Sequence, residues 1–245
     1  MNNFFSHTES ANKRGENILI DKGLPTRYFQ DVIESQSSLV DFVKFGWGTS
    51  IVSPNIDEKI DILRKHNVKY FFGGTLFEKS VLEKSVEDYI NYCLDKGCEF
   101  VEISNGTINL SNSEKSHYIS EFSKKFKVFS EVGYKDEVRS EVMTTKEWLS
   151  FIRQDIEAGA IKVITETRES GQSGICNSSG EIKEDVIEVI SEISKDKLIF
   201  EAPNKDLQVY FIKKFGCEVN LANVSFDDLI SLETLRFGLR SDTLL

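Results

Sequence analysis

The sequence predicts a single (β/α)8 barrel of the α/β class with parallel strands, and three observations predict it. Short apolar runs rich in β-branched and aromatic residues recur eight times. Each is followed by a polar or glycine-containing turn and usually by a helical pattern. The runs start about 29 residues apart on average, close to the length of one strand–helix unit. Continuous apolar strands alternating with helices imply a parallel sheet covered by helices, because every crossover returns across a face. Eight units favour closure over an open doubly wound sheet, and neither GxGxxG nor GxxxxGK(S/T) follows any strand. With 245 residues and no Pro/Gly/Ser-rich divider, one domain is expected over 16–245, preceded by a loose, flexible extension over 1–15.

In chain order the strands read NILID (17–21), DFVKF (41–45), VKYFF (68–72), EFVEIS (99–104), KVFSEV (127–132), KVITET (162–167), KLIFEA (197–202) and EVNLANV (218–224). Helical signals fill the gaps. Gly97 stops the helix of YINYCLDKG. Ser111 to Glu114 and Thr144 to Glu147 have the capping-box spacing, in which side chains satisfy the exposed amides of a first turn. The helix begun at Thr144 aligns Trp148, Leu149, Ile152 and Ile156 on one face, which should pack on the sheet, before Gly159 ends it. Gly216 closes LQVYFIKKFG in the same way.

Composition narrows the function. Hydrophobic residues at 40% and charged residues at 29% suit a soluble globular protein with a sizeable core. A net charge of −10 argues against a broad basic surface for nucleic acid or anionic membrane. No apolar run approaches the roughly 20 residues needed to span a bilayer, and the start lacks the apolar core of a signal peptide, so a cytoplasmic location is expected. Cys93, Cys98, Cys176 and Cys217 form neither a CxxC pair nor a zinc-site spacing and read as reduced thiols. His7, His66 and His117 lie in the polar start or in helical stretches, which makes histidine-driven catalysis improbable.

In a barrel of this kind the active site is built at the C-terminal ends of the strands. Four consecutive strands end in glutamate: Glu102, Glu131, Glu166 and Glu201; Asp21 holds the equivalent place on the first strand. Acids converging on one mouth repel unless cations, protons or hydrogen bonds compensate them. Lys22, Lys44, Lys135 and Arg168 lie in or just beyond strand ends as ion-pair partners or as a polyanion site, and Mg2+ could supply the remaining compensation. The alternative is that the acids only pair with neighbouring bases and hold the mouth together. Glycine-rich turns at 45–50, 72–78 and 168–174 would let backbone amides approach an anion, the last adding Arg168, Ser170 and Ser173 as donors; each could equally be an ordinary tight turn. Arg236 and Arg240 are four residues apart and would share a helical face able to bind phosphate or a neighbouring subunit, unless Gly238 ends the helix between them.

Taken in order, IDKGLP, DFVKFGWGTS, GGTLFE, VEISNG, SEVGYKD, EAGA, RESG, FEAPNKDLQV, VNLANV and ISLETLRFGLRSDT resemble the phosphosulfolactate synthase family, over about Gly15 to Thr243. That resemblance implies Mg2+-dependent addition of sulfite to the methylene carbon of phosphoenolpyruvate, giving (2R)-phospho-3-sulfolactate, a step of coenzyme M formation; related bacterial enzymes lead to sulfolactate. It implies a homo-oligomer with small-molecule substrates. Lys135 matches the family lysine of the EVG-x-K segment and becomes the candidate acid that protonates C2, with Lys44 and Glu166 beside it as catalytic candidates. Lys22, Arg168, Ser170, Gly171, Glu201, Asn220, Asn223, Arg236 and Arg240 are the substrate-binding candidates, while Asp21, Glu102 and Glu131 are the metal-ligand candidates, with Glu166 or Glu201 able to replace any of them. The chain departs from the family at Asn105, Tyr134 and Ser241, and it reads RGEN where the family has RGLT. Those changes keep two alternatives open: another small nucleophile on phosphoenolpyruvate, or a non-catalytic stress-related barrel like the plant heat-stress relatives.

Overall fold

The computed structural model describes residues 14–168, 170 and 172–244. In chain order its elements are β1 (Asn17–Asp21), α1 (Thr26–Gln36), β2 (Phe42–Phe45), α2 (Thr49–Val52), α3 (Ile56–Lys65), β3 (Lys69–Phe72), α4 (Gly74–Leu82), α5 (Val86–Asp95), β4 (Phe100–Ile103), α6 (Asn112–Phe122), β5 (Lys127–Val132), α7 (Glu137–Val142), α8 (Thr145–Glu157), β6 (Ala160–Thr165), α9 (Glu184–Ile190), β7 (Leu198–Glu201), α10 (Lys205–Phe215), β8 (Leu221–Val224) and α11 (Leu229–Arg236). All eight expected strands form, and their ladders are parallel. The order β3-β2-β1-β8-β7-β6-β5-β4 is that of a nearly closed (β/α)8 barrel with its seam between β3 and β4. Phenylalanines meet across the seam, Phe42 with Phe100 at 4.9 Å and Phe71 with Phe129 at 5.1 Å between ring centroids. Above them α4 acts as a clasp. The Gly74 amide donates to Glu102 Oε1 at 2.6 Å, and the buried Glu78 carboxylate accepts from the Ser104 hydroxyl and the amides of Gly106, Thr107 and Ile108.

Side chains alternate between the two faces of a strand, and here the alternation separates two cores. Leu19, Val43, Phe72, Val101, Val128 and Val163 face outward under the helices. Ile18, Phe42, Phe71, Phe100, Phe129, Ile164, Ile199 and Ala222, one from each strand, fill the barrel interior as a separate apolar plug. Burying each of its larger members contributes about 1.5–3 kcal/mol, so the barrel is a packed core with no pore. Two residues beyond the plug, with the same inward parity, come Lys44, Glu102, Glu131, Glu166 and Glu201. The plug is thus the floor on which the charged layer stands.

Both capping boxes form, at Ser111–Glu114 and Thr144–Glu147. On α8, Trp148 and Ile152 are buried as the periodicity requires, whereas Leu149 and Ile156 are half-buried and the fully buried neighbour is Asp155. Gly159, at φ +116°, ends α8 and turns the chain directly into β6, which starts two residues earlier than its apolar run suggests and leaves Glu166 and Thr167 beyond its end. Residues 1–13 of the expected extension lie outside the described residues. Arg14 and Gly15 fasten to the barrel, Arg14 to Asp41 at 2.6 Å and the Gly15 amide to the Cys217 carbonyl at 3.1 Å. All four cysteines are free thiols. No helix among the described residues is long and apolar enough to cross a membrane.

Candidate active site

At the C-terminal ends of the strands lies a cavity of about 280 Å3. Lys44, Glu102, Lys135, Glu166 and Glu201 form its base, with Lys22, Trp47, Thr75, Arg168 and Asn223 among the residues around it. Lys44, from β2, reaches Glu102 at 2.9 Å, Glu201 at 3.2 Å and Glu131 at 3.5 Å. Lys135, from the loop after β5, reaches Glu131 at 3.2 Å and Glu166 at 3.4 Å. Glu131 is therefore the acid shared by both lysines. The loop can bring Lys135 back over the barrel because Gly133 sits at φ +123°, where a Cβ would fall 2.7 Å from the Glu166 Cβ. The Lys135 amide then donates to the Gly106 carbonyl at 3.1 Å, and Asp136 caps α7 by accepting the Arg139 amide.

Four buried carboxylates face two ammonium groups, so the fully ionised cluster carries two surplus negative charges. Burial pushes Glu102 up to about 7, with Lys44 opposing and Glu131 adding to the rise. Burial likewise raises Glu166 well above the usual carboxylate range against the pull of Lys135, and it raises Glu201 against the pull of Lys44. For Glu131 burial is outweighed by Lys135 and Lys44, which hold it down at about 2. Burial works to lower both lysines, yet the surrounding glutamates win and keep each above the usual lysine range. Lys135 is held as an ammonium ion.

The residues present fit a hard divalent cation. Glu131, Glu166 and Glu201 each offer an oxygen within 4.8 Å of the others. Glu131 Oε2 and Glu166 Oε2 are buried and each meets a lysine ammonium only at the long end of ion-pair distance, Lys44 at 3.5 Å and Lys135 at 3.4 Å, which leaves lone pairs able to ligate a cation. One divalent ion would also cancel the surplus charge. Of the expected ligands, Glu131 belongs to this trio. Glu102 lines the same cavity, but its oxygens are engaged by the Gly74 amide and Lys44.

Asp21 is a correction. It lies three residues after Ile18, an odd step, so its side chain points outward into the helix layer. There it pairs with buried Lys59 of α3 at 2.6 Å and accepts the amides of Gly23 and Leu24 at 2.8 and 2.7 Å. Its oxygens are spent on shaping the loop that carries Lys22. Breaking this pair with Lys59→Met leaves a buried unpaired carboxylate and is expected to cost about 3–5 kcal/mol in thermal or urea unfolding, with divalent-ion affinity of the folded protein unchanged. A weakened ion affinity would return Asp21 to the metal site.

The remaining candidates divide by position. Lys22, 5.1 Å above the Trp47 ring, Arg168 and Asn223 line the cavity; Asn223 adopts φ +56°. Asn220 and Arg236 are instead at the opposite, N-terminal end. Asn220 accepts the Glu16 amide and donates to the Leu198 carbonyl, while Arg236 donates to the carbonyls of Cys217 and Val219 and to Asn17 Oδ1. They tie the base of the barrel together. Helix α11 stops at Arg236, with Gly238 at φ +64°, so Arg240 does not continue its face and bonds Ser231 and Asp242. Ser170 lines a neighbouring surface groove, and Gly171 lies outside the described residues. Thr167 escaped sequence reasoning: its amide fixes Glu201 Oε2 at 2.9 Å. Asn105, Tyr134 and Ser241, the departures that motivate another nucleophile, are not among the residues lining the cavity. The buried Asn105 amide holds the Leu110 carbonyl, Arg139 stacks 3.9 Å from the Tyr134 ring centroid, and Ser241 is exposed.

Comparison with known proteins places the chain in a family. Residues 6–242 match the family model described as (2R)-phospho-3-sulfolactate synthase (ComA). The chain is 52% identical over 238 residues to the phosphosulfolactate synthase of Bacillus subtilis, covering 96% of this chain and 94% of that one. It is 42% identical over 236 residues to the phosphosulfolactate synthase of Methanocaldococcus jannaschii, covering 94% of each. Among solved structures, the carboxyl transferase domain of Rhizobium etli pyruvate carboxylase with 3-hydroxypyruvate superposes with a TM-score of 0.62 at 11% identity, over 89% of this chain and 40% of that one, a likeness of fold alone.

Proposed function

The chain belongs to the (2R)-phospho-3-sulfolactate synthase family, and from that premise we propose that it adds sulfite to the methylene carbon of phosphoenolpyruvate to give (2R)-phospho-3-sulfolactate. The observation that carries the reading is a half-buried ammonium group, Lys135, held between the buried Glu131 and Glu166 at the base of a cavity flanked by further cations.

Two anions must meet for this reaction, and fixed positive charge lowers their repulsion. Lys22 and Arg168 are the cations suited to the phosphate and the sulfite, and Lys44 backs them from the base. The sulfur lone pair forms the C–S bond at C3, and the π pair of phosphoenolpyruvate moves to C2 and toward the carboxylate. Lys135 then delivers its proton to C2, and solvent reloads the amine. Glu131 and Glu166 keep that proton in place beforehand. Mg2+ held by Glu131, Glu166 and Glu201 would supply positive charge where negative charge develops in the substrate.

Purified protein incubated with phosphoenolpyruvate, sulfite and Mg2+ is expected to yield phosphosulfolactate by mass spectrometry. Chelation with EDTA should abolish the product, and excess Mg2+ should restore it. Folded protein that makes none across a broad pH range would reject the reading, and product that survives chelation would reject the metal.

A further inference from the structure

Behind the barrel wall, on the outer side of β5, lies a fully buried ion pair that substrate cannot reach. Lys115 of α6 and Asp155 of α8 are both inaccessible to solvent and stand 2.7 Å apart. Asp155 also accepts the Ser130 hydroxyl and, at 3.4 and 3.5 Å, the Ser116 hydroxyl and the Asn112 side-chain amide. Lys115 makes one further contact, donating to the backbone carbonyl of Glu131 at 2.9 Å.

That carbonyl has a particular need. Successive carbonyls along a strand point to alternate neighbours, and the Val132 carbonyl accepts the Glu166 amide on the β6 side. The Glu131 carbonyl therefore faces β4. The β4–β5 ladder ends with Ile103 opposite Ser130, one residue too early to serve it. Lys115 occupies the place of the missing strand amide, and Asp155, itself tied to Ser130, fixes the ammonium there.

We infer that Lys115 is a positioning residue for the mouth: by completing the ladder at Glu131 it sets the carboxylate that both Lys44 and Lys135 contact. The inference rests on the functional reading above for what that carboxylate does. A buried ion pair adds little net stability compared with well-packed apolar groups of similar size, whereas residues supporting a metal ligand typically change affinity or activity by 10- to 100-fold when replaced. The two roles can therefore be separated.

The test is the triple variant Lys115→Met, Ser130→Ala, Asp155→Leu, which removes the ion pair together with the Ser130 hydroxyl and leaves no charge behind. Three quantities are read in the intact protein: melting temperature, Mn2+ affinity by electron paramagnetic resonance, and kcat against KM for phosphoenolpyruvate. The expected result is a melting temperature lowered by only a few degrees, as one carbonyl left without a donor requires, with Mn2+ affinity weakened and kcat lowered by about tenfold or more, and KM changed less than kcat. A folded variant with wild-type ion affinity and kcat would reduce the network to packing and overturn the inference. If the triple variant does not fold, Lys115→Arg keeps the charge but displaces the donor, and the same split or its absence decides. Wild-type protein that binds Mn2+ but makes no product from sulfite would count against the nucleophile alone, since the change in ion affinity still judges Lys115. Wild-type protein that binds no divalent ion overturns both.

Discussion

Replacing Lys135 with alanine is expected to lower kcat by about 10²- to 10⁴-fold, the range that a positioned general acid contributes, while phosphoenolpyruvate affinity changes far less. The separation follows from when the proton is needed. Binding requires counter-charge, and Lys22, Lys44 and Arg168 remain at the cavity after Lys135 is removed. Protonation of C2 comes after sulfite has attacked, so the lost interaction belongs to the reaction and not to the encounter. Isothermal calorimetry with phosphoenolpyruvate in the absence of sulfite, beside steady-state kinetics, measures the two terms separately. An unchanged turnover number would remove Lys135 from its role. Affinity that collapses together with turnover would make Lys135 a substrate-binding cation.

The other large effect expected is on stability. Lys44 is buried among three carboxylates at 2.9–3.5 Å, and Lys44→Met leaves four buried acids facing Lys135 alone. Removing one partner of a buried charge network costs about 3–5 kcal/mol, a fall of roughly 10 °C in melting temperature for a chain of this size. The penalty should shrink as pH falls. Burial already holds Glu102 at about 7, above its unfolded value, and raises Glu166 and Glu201. A carboxyl with a raised folded pKa binds its proton more tightly when folded, so its contribution is favourable below the unfolded pKa and is lost as pH rises through the folded one. Thermal unfolding of the variant at pH 5.5 and 8 should therefore differ from wild type more at the higher pH, and added Mg2+ should recover part of the loss there. A variant as stable as wild type at pH 8 would contradict the electrostatic account of the mouth.

Much of this was legible in the chain itself. The eight apolar runs predict the strands because a parallel strand buried on both faces needs continuous apolar sequence. The four glutamates were visible as strand ends, and the step that sorts them from Asp21 was visible too: Phe100-x-Glu102, Phe129-x-Glu131, Ile164-x-Glu166 and Ile199-x-Glu201 keep inward parity, while Ile18-x-x-Asp21 breaks it. Lys59 and Lys115 also left a trace. Each interrupts an apolar helical stripe, Ile56, Ile60 and Leu63 in one case and Ile119 and Phe122 in the other, at a spacing that faces the sheet. What these lysines meet there could not be read, because Asp21 is 38 residues from Lys59 and Asp155 belongs to another helix than Lys115. Arg236 misled for a related reason. Its spacing of four from Arg240 reads as a shared anion-binding face until the fold reveals that the helix stops at Arg236 and that backbone carbonyls already occupy its donors.

The apolar plug across the barrel has an electrical consequence. Eight hydrocarbon side chains directly beneath the charged layer act as an insulator, so field lines from the mouth cannot spread down the barrel axis and are focused toward the opening. The sign of that focused field follows the occupancy of the acid layer: the four glutamates outnumber Lys44 and Lys135 by two when all are ionised, while Lys22 and Arg168 add positive charge around the opening. On the functional reading above, the same insulation makes the entrance responsive to what the base holds: each proton or cation taken up among the glutamates turns the focused field further toward the anions.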